Sequence, residues 1–125
     1  MKAGLSRKEI GALGEKIAEN YLTKEKGYLI LSRNYTCPLG EIDLIARDRD
    51  YLVFVEVRSG STSAREYVEE SIGHRKQKKL KQVASYYLKE KNLHDHPCRF
   101  DVITLYLEKN SGTLKELRLY QNAFY

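Results

Sequence analysis

The chain has 125 residues, 42% hydrophobic and 31% charged, which suits one packed core of ordinary domain size. No run approaches the ~20 apolar residues that span a bilayer, and the first residues turn charged at Arg7, Lys8 and Glu9 before a signal-peptide core could form. Cys37 and Cys98 are too few for a disulfide framework, so a single-domain protein of a reducing cytoplasm, without membrane contact, is expected.

Ser6-Arg7-Lys8-Glu9 has the form of a capping box. Ile10, Leu13, Ile17, Tyr21 and Leu22 follow at helical spacing, and Gly27 supplies the left-handed stop. Tyr28 to Tyr35 reads as a strand and Pro38-Leu39-Gly40 as a turn. Two apolar strands follow, Glu41 to Arg47 and Leu52 to Arg58. They read as an antiparallel hairpin with a four-residue loop from Asp48 to Tyr51.

Ser61 to Glu70 is polar and reads as a loop that orders on binding. Leu80, Val83, Ala84, Tyr87 and Leu88 mark the apolar stripe of a second helix, roughly Ile72 to Lys91. Arg99 to Leu107 is a strand. Asn110-Ser111-Gly112 turns the chain into a last strand near Thr113 to Tyr120. Helix, three strands, helix and two strands give one mixed α/β domain.

The formal charge is +5, and its distribution is more informative than its size. Between Ser71 and Lys91 lie Arg75, Lys76, Lys78, Lys79, Lys81, Lys89 and Lys91 against the single acid Glu90, so this segment alone exceeds the whole chain's surplus. A local basic face is what phosphate binding by counterion release requires. A solvated helix face has the same composition.

The hairpin carries the candidate chemistry. Counting back from an Arg47–Leu52 pair places Asp43 directly opposite Glu56 on one face, with Cβ atoms ~4.5–5.5 Å apart. Two carboxylates that close in an apolar sheet repel, and one would take up a proton. A hard divalent cation resolves the conflict, and Mg²⁺ commonly uses one or two carboxylates with water and substrate phosphates. Arg58, two residues beyond Glu56, shares its face. Acids and a cation so arranged suit phosphodiester hydrolysis. The same strands also admit a plain acid pair whose members meet Arg47, Arg58 or Arg99.

Five blocks occur in order along the chain: Gly14-Glu15, Gly40-Glu41-Ile42-Asp43-Leu44-Ile45, Val53-Phe54-Val55-Glu56-Val57-Arg58, Lys76-Gln77-Lys78-Lys79-Leu80 and Arg99-Phe100-Asp101-Val102. Together with Asn122-Ala123-Phe124 they make the chain resemble the YraN-like family from about Gly11 to Phe124. That family is similar to archaeal Holliday-junction resolvases and the wider PD-(D/E)XK nucleases. The resemblance implies a restriction-endonuclease-like mixed sheet flanked by helices, with Mg²⁺ or Mn²⁺ as cofactor. Asp43 and Glu56 match the acids of the first and second motifs, and Glu15 the helix carboxylate that completes the metal shell. Gln77, with Lys76, matches a helix position that contacts active-site groups or the DNA backbone.

The last motif position, usually lysine, is Arg58 here. Arginine stays charged and presents a planar fork, so it can bind phosphate or orient water but cannot act as a general base. The expected function is a metal-dependent nuclease on DNA using Asp43, Glu56, Arg58 and Glu15, with branched DNA as the substrate class the resolvase resemblance implies. Arg75, Lys76, Gln77, Lys78, Lys79 and Lys81 form its expected nucleic-acid face, and a homodimer would serve cutting of two strands. The rivals are a non-catalytic nucleic-acid-binding module and a protein-interaction domain whose basic helix is merely solvated.

Other residues carry less. Glu41 shares Asp43's face in a regular strand and is read as pairing with Arg47 or Arg58. Asp101 is read as structural. His94, His96, Cys98 and Cys37 lack the tight paired spacing of structural zinc. His74 suits phosphate better than catalysis, and Tyr87 belongs to the core while its neighbour Tyr86 can be exposed.

Overall fold

The computed structural model describes residues 4–62 and 72–124. The elements are α1 (Arg7–Lys24), β1 (Leu29–Cys37), β2 (Gly40–Asp48), β3 (Tyr51–Ser61), α2 (His74–Glu90), β4 (Cys98–Leu107) and β5 (Leu114–Phe124), in the expected order. Ser61 closes β3 rather than opening a loop, and the rest of the polar segment proposed to order on binding, at 63–71, lies outside the described residues. Among the described residues no helix is long and apolar enough to cross a membrane.

Helix α1 starts where the capping box requires. Ser6 Oγ accepts from the Glu9 amide at 3.1 Å, and Glu9 Oε1 accepts from the Ser6 amide at 2.9 Å. The chain leaves the helix through Gly27 at φ 72°. Ile10, Gly14, Ala18 and Leu22 form its buried face, at a strict four-residue interval. Gly14 is where the helix comes closest to the sheet. A Cβ there would lie 2.6 Å from both Cβ and Oγ of Ser59 on β3, so only glycine permits this approach.

The five strands lie in sequence order in one sheet, β1-β2-β3-β4-β5. Only β3 and β4 are parallel; every other neighbouring pair is antiparallel. A parallel pair needs a long crossover, and α2 lies within it. Neighbouring residues of the central strands face opposite helices. Leu52 and Phe54 pack with Leu80, Val83, Ala84 and Tyr87 of α2, while Val53 and Val55 pack with Ala18 and Leu22 of α1. The sheet is thus covered on both faces, an α/β arrangement consistent with a restriction-endonuclease-like core.

The hairpin register is the expected one: Arg47 pairs with Leu52 and Leu44 with Val55. The loop is shorter than expected, because Asp48 also pairs with Tyr51 and leaves a two-residue turn at Arg49 and Asp50. Arg49 takes the tight turn at φ 57°, a conformation its residue type does not advertise. The last strand also runs beyond its expected end, to Phe124, whose ring stacks on Phe100 at 4.8 Å.

At the Cys98 end of β4 a polar network is built around Asp101, which is fully buried. Its carboxylate accepts from Tyr28 Oη at 2.7 Å, Arg99 Nε at 3.0 Å and the Asn122 amide at 3.0 Å. Arg99 also donates to Asp48 at 2.8 Å. Strands β2, β4 and β5 and the start of β1 are tied here, so Asp101 has the structural role expected of it. Asp101→Ala would leave the Tyr28 hydroxyl and the Asn122 amide without their acceptor and leave Asp48 as the one acid on the Arg99 guanidinium. The expected loss is about 3 kcal/mol in urea unfolding, and a loss under about 1 kcal/mol would show that the network holds nothing together.

Candidate functional site

Strand β3 is paired with β4 along its length, from Leu52↔Cys98 to Ser61↔Leu107. Its pairing with β2 stops earlier, at Leu44↔Val55. Continuing that register would give the Val57 amide to the carbonyl of Ile42. Instead Val57 donates to Asp43 Oδ2 at 2.8 Å, so a carboxylate takes the place of a backbone carbonyl. Irregularity here is also visible in the packing. Ile42 joins the α2-side core and Leu44 the α1-side core, although a regular strand would put both on one face. Across on β1, Asn34 at φ 50° lies between the pairs Arg33↔Leu44 and Tyr35↔Ile42. Asp43 sits at this break, and the direct opposition to Glu56 expected from a regular ladder is replaced by a carboxylate that reaches across to β3.

The two acids still meet. Glu56, with its side chain 14% exposed, has its pKa pushed up to about 7, first by burial and then by the Asp43 charge and a hydrogen bond shared with it. Arg58 and Lys76 act in the opposite direction. Glu15 joins from α1, immediately after the glycine that lets the helix approach β3. Burial raises its pKa first, with Asp43 and Glu41 adding to the effect. Glu41 is exposed and adds its field to the acids rather than lying on the buried face. Asp43 and Glu56 thus share a hydrogen bond, Arg58 acts on Glu56, and Glu15 on α1 lies within the field of Asp43.

Helix α2 closes the site from the other side. Lys76 Nζ lies 3.6 Å from Glu56 Oε2, with the lysine more than half exposed. Gln77 Nε2 donates to the Ile72 carbonyl at 2.7 Å, fastening the chain that enters a helix whose N-cap, Gly73, has no side chain to do so. The expectation for Gln77 was contact with active-site groups or DNA, and in the structure its amide serves the helix start. His74, Arg75, Lys78, Lys79 and Lys81 are exposed. Lys79 runs beside Gly40, where an added Cβ would lie 3.4 Å from its Cε, so the basic helix borders the turn that leads to Asp43. The Lys76–Glu56 contact was not anticipated as such, and the only signal for it was the position of Lys76 beside Gln77.

The family model for Uncharacterised protein family UPF0102 matches residues 14–105, which span Gly14, Asp43, Glu56 and Asp101. The chain belongs to the UPF0102 family. This is the YraN-like family to which the motif order pointed. A UPF0102 protein of Pelotomaculum thermopropionicum is 46% identical over 119 residues, covering 95% of this chain and 98% of the relative. One from Clostridioides difficile is 45% identical over 120 residues, covering 96% and 100%.

As a candidate cation site, the UPF0102 chain offers Asp43 and Glu56 in a shared hydrogen bond, where burial and the Asp43 charge favour a proton on Glu56. Among the described residues no three His, Cys, Asp or Glu side chains converge closely enough to form a ready cage. That includes His94, His96, Cys98 and Cys37, and both cysteines are free thiols. The donor set of Asp43 and Glu56 fits a hard divalent ion that keeps much of its water.

The proton on Glu56 generates a prediction. Its folded value near 7 lies above the ordinary 4.5, so between those pH values the folded chain holds a proton that the unfolded chain releases. Metal-free stability should fall as pH rises from about 4.5 to about 7, and stay lowered above that. Glu56→Gln should flatten this slope and raise stability at pH 8 by on the order of 2 kcal/mol. Urea midpoints across pH 5 to pH 8 test it, and an unchanged slope would mean that Glu56 is charged throughout.

Proposed function

We propose that this UPF0102 protein is a nuclease that hydrolyses DNA phosphodiesters with Mg²⁺ or Mn²⁺ held by Asp43 and Glu56, with Glu15 beside them. The observation that carries the reading is the crowded acid pair at the point where β2 leaves β3, bordered by the strongly basic helix α2. Acids that destabilise each other without a cation are costly in a sheet end unless they serve one.

A divalent cation there would supply charge neutralisation at the phosphate and a more acidic water. The chain's own residues do the rest. Asp43 is oriented by the Val57 amide on one oxygen and shares a hydrogen bond with Glu56, so both carboxylates are held side by side. Arg58 adds a permanent positive charge close enough to act on Glu56, suited to charge that develops on phosphorus oxygens. Arg75, Lys78, Lys79 and Lys81 present exposed cations for the phosphate backbone. Branched DNA is the substrate suggested by the resolvase-like resemblance, and two copies acting together would cut two strands. Arginine in place of the motif lysine favours the second reading, a module that binds nucleic acid without turnover.

Mn²⁺ should raise the melting temperature of the wild type, and Asp43→Asn or Glu56→Gln should each remove most of the rise. Equal rises in all three proteins would end the metal reading.

DNA affinity should fall steeply with salt, and changing Lys78, Lys79 and Lys81 to Gln should weaken it and flatten the slope. Cleavage of labelled duplex and four-way junction DNA, with Glu56→Gln as blank, then separates the readings. Arg58→Lys should retain cleavage within about tenfold and Arg58→Ala should lose more. Salt-sensitive binding with no metal-dependent cut on either substrate selects the binding module, and no binding at low salt selects a protein-interaction role.

A further inference from the structure

The Lys76–Glu56 contact points to a function for Lys76 beyond the phosphate grip. At 3.6 Å the pair is too long for a direct hydrogen bond, and the two partners differ sharply in exposure, 57% for the lysine side chain against 14% for the glutamate. Such a pair is held by charge alone and reopens readily. Lys76 lies in the first turn of a helix whose start has no side-chain cap and is fastened instead by Gln77 to Ile72. The ammonium therefore reaches into the acid site on a long flexible stem from an anchored base. The other groups acting on Glu56 are Asp43, which repels it, and Arg58, which sits on the same strand.

We propose that Lys76 is a placeholder cation: it occupies the charge of Glu56 when no divalent ion is bound, and exchanges with that ion for a place on the substrate phosphate. This rests on the metal reading given above and adds a coupling between its two ligands. A divalent ion releases Lys76 from Glu56, and the released ammonium strengthens the phosphate grip. By reciprocity, polyanion bound to Lys76 must strengthen cation binding by the same factor.

The test measures Mn²⁺ alone, by calorimetry and by electron paramagnetic resonance of the free ion, against wild type, Lys76→Gln, Lys78→Gln and Asp43→Asn. Lys76→Gln should bind Mn²⁺ about threefold or more tightly, the order of an exposed ion pair, while Lys78→Gln, which removes the same charge from the same helix, should change it less. Reductive methylation read by mass spectrometry should proceed faster at Lys76 once Mn²⁺ is added and stay constant at Lys78. Equal tightening in the two lysine variants, or an unchanged methylation rate at Lys76, overturns the placeholder while leaving the metal site intact. Mn²⁺ binding that survives Asp43→Asn, or binding by no protein, overturns the metal reading and the placeholder together.

Discussion

The candidate site exists because β3 outruns β2. From Leu52 to Val55 the strand has a partner on each side; from Glu56 onward only β4 continues along it. A central strand that loses one neighbour leaves backbone donors to be satisfied, and a buried N–H without a partner costs about as much as a lost hydrogen bond. Asp43 meets the first of these demands by accepting from Val57. The interaction that ends the ladder is thus the one that places a carboxylate beside Glu56. Gly14 contributes from the opposite side, since the 2.6 Å clearance over Ser59 brings α1, and Glu15 with it, over the same end of β3.

Legibility in the sequence followed the range of the physics. The capping box at Ser6 and Glu9, the helix stop at Gly27 and the Arg47–Leu52 register are local, and the residues state them. The turn at Arg49 and the breaks at Asn34 and Asn122 were not legible, because a non-glycine residue in the left-handed region is imposed by its surroundings. Asp43 was found by a regular-ladder argument, yet its place depends on the ladder failing there. Asp43 and Glu56 come together in either geometry, although the direct opposition of a regular ladder is absent. Tyr28 and Asn122 could not be assigned to Asp101, nor Asp48 to Arg99, from pattern alone, since these contacts span separations from 21 to 73 residues.

The two buried charge systems of the sheet differ in a way that separates structure from chemistry. Around Asp101 every acid has a matching donor at hydrogen-bond distance, and the Arg99 guanidinium lies 5.6 Å from the Tyr28 and Tyr51 ring centres, with positive charge over the rings. Such a network gains by staying closed. Around Glu56 the balance is reversed: two acids adjoin, the nearest lysine is long-range, and burial works against charge. One end of the sheet is closed by direct hydrogen bonds, while at the other a buried acid pair is offset by Arg58 and by a lysine at 3.6 Å.

That contrast bears on the arginine at the position where the motif resemblance implies lysine. A motif lysine near two acids supplies both a positive charge and an amine that can shift its pKa, and arginine retains only the first. In this chain the two properties are divided between elements. Arg58, on the strand, supplies a positive charge that acts on Glu56, and Lys76, on the helix, supplies an ammonium that on the placeholder reading can leave. Division has a physical advantage where the acids need a counter-charge before the cation arrives. Both Arg58 on β3 and Lys76 on α2 oppose an incoming ion by charge, and on the placeholder reading Lys76, with its exposed stem, is the one that swings toward solvent as the ion enters. The exposed stem of Lys76 and the Gln77 bond that anchors the turn beneath it suit that motion. On this view Arg58 marks a redistribution of the positive charge of the site between strand and helix, rather than its loss.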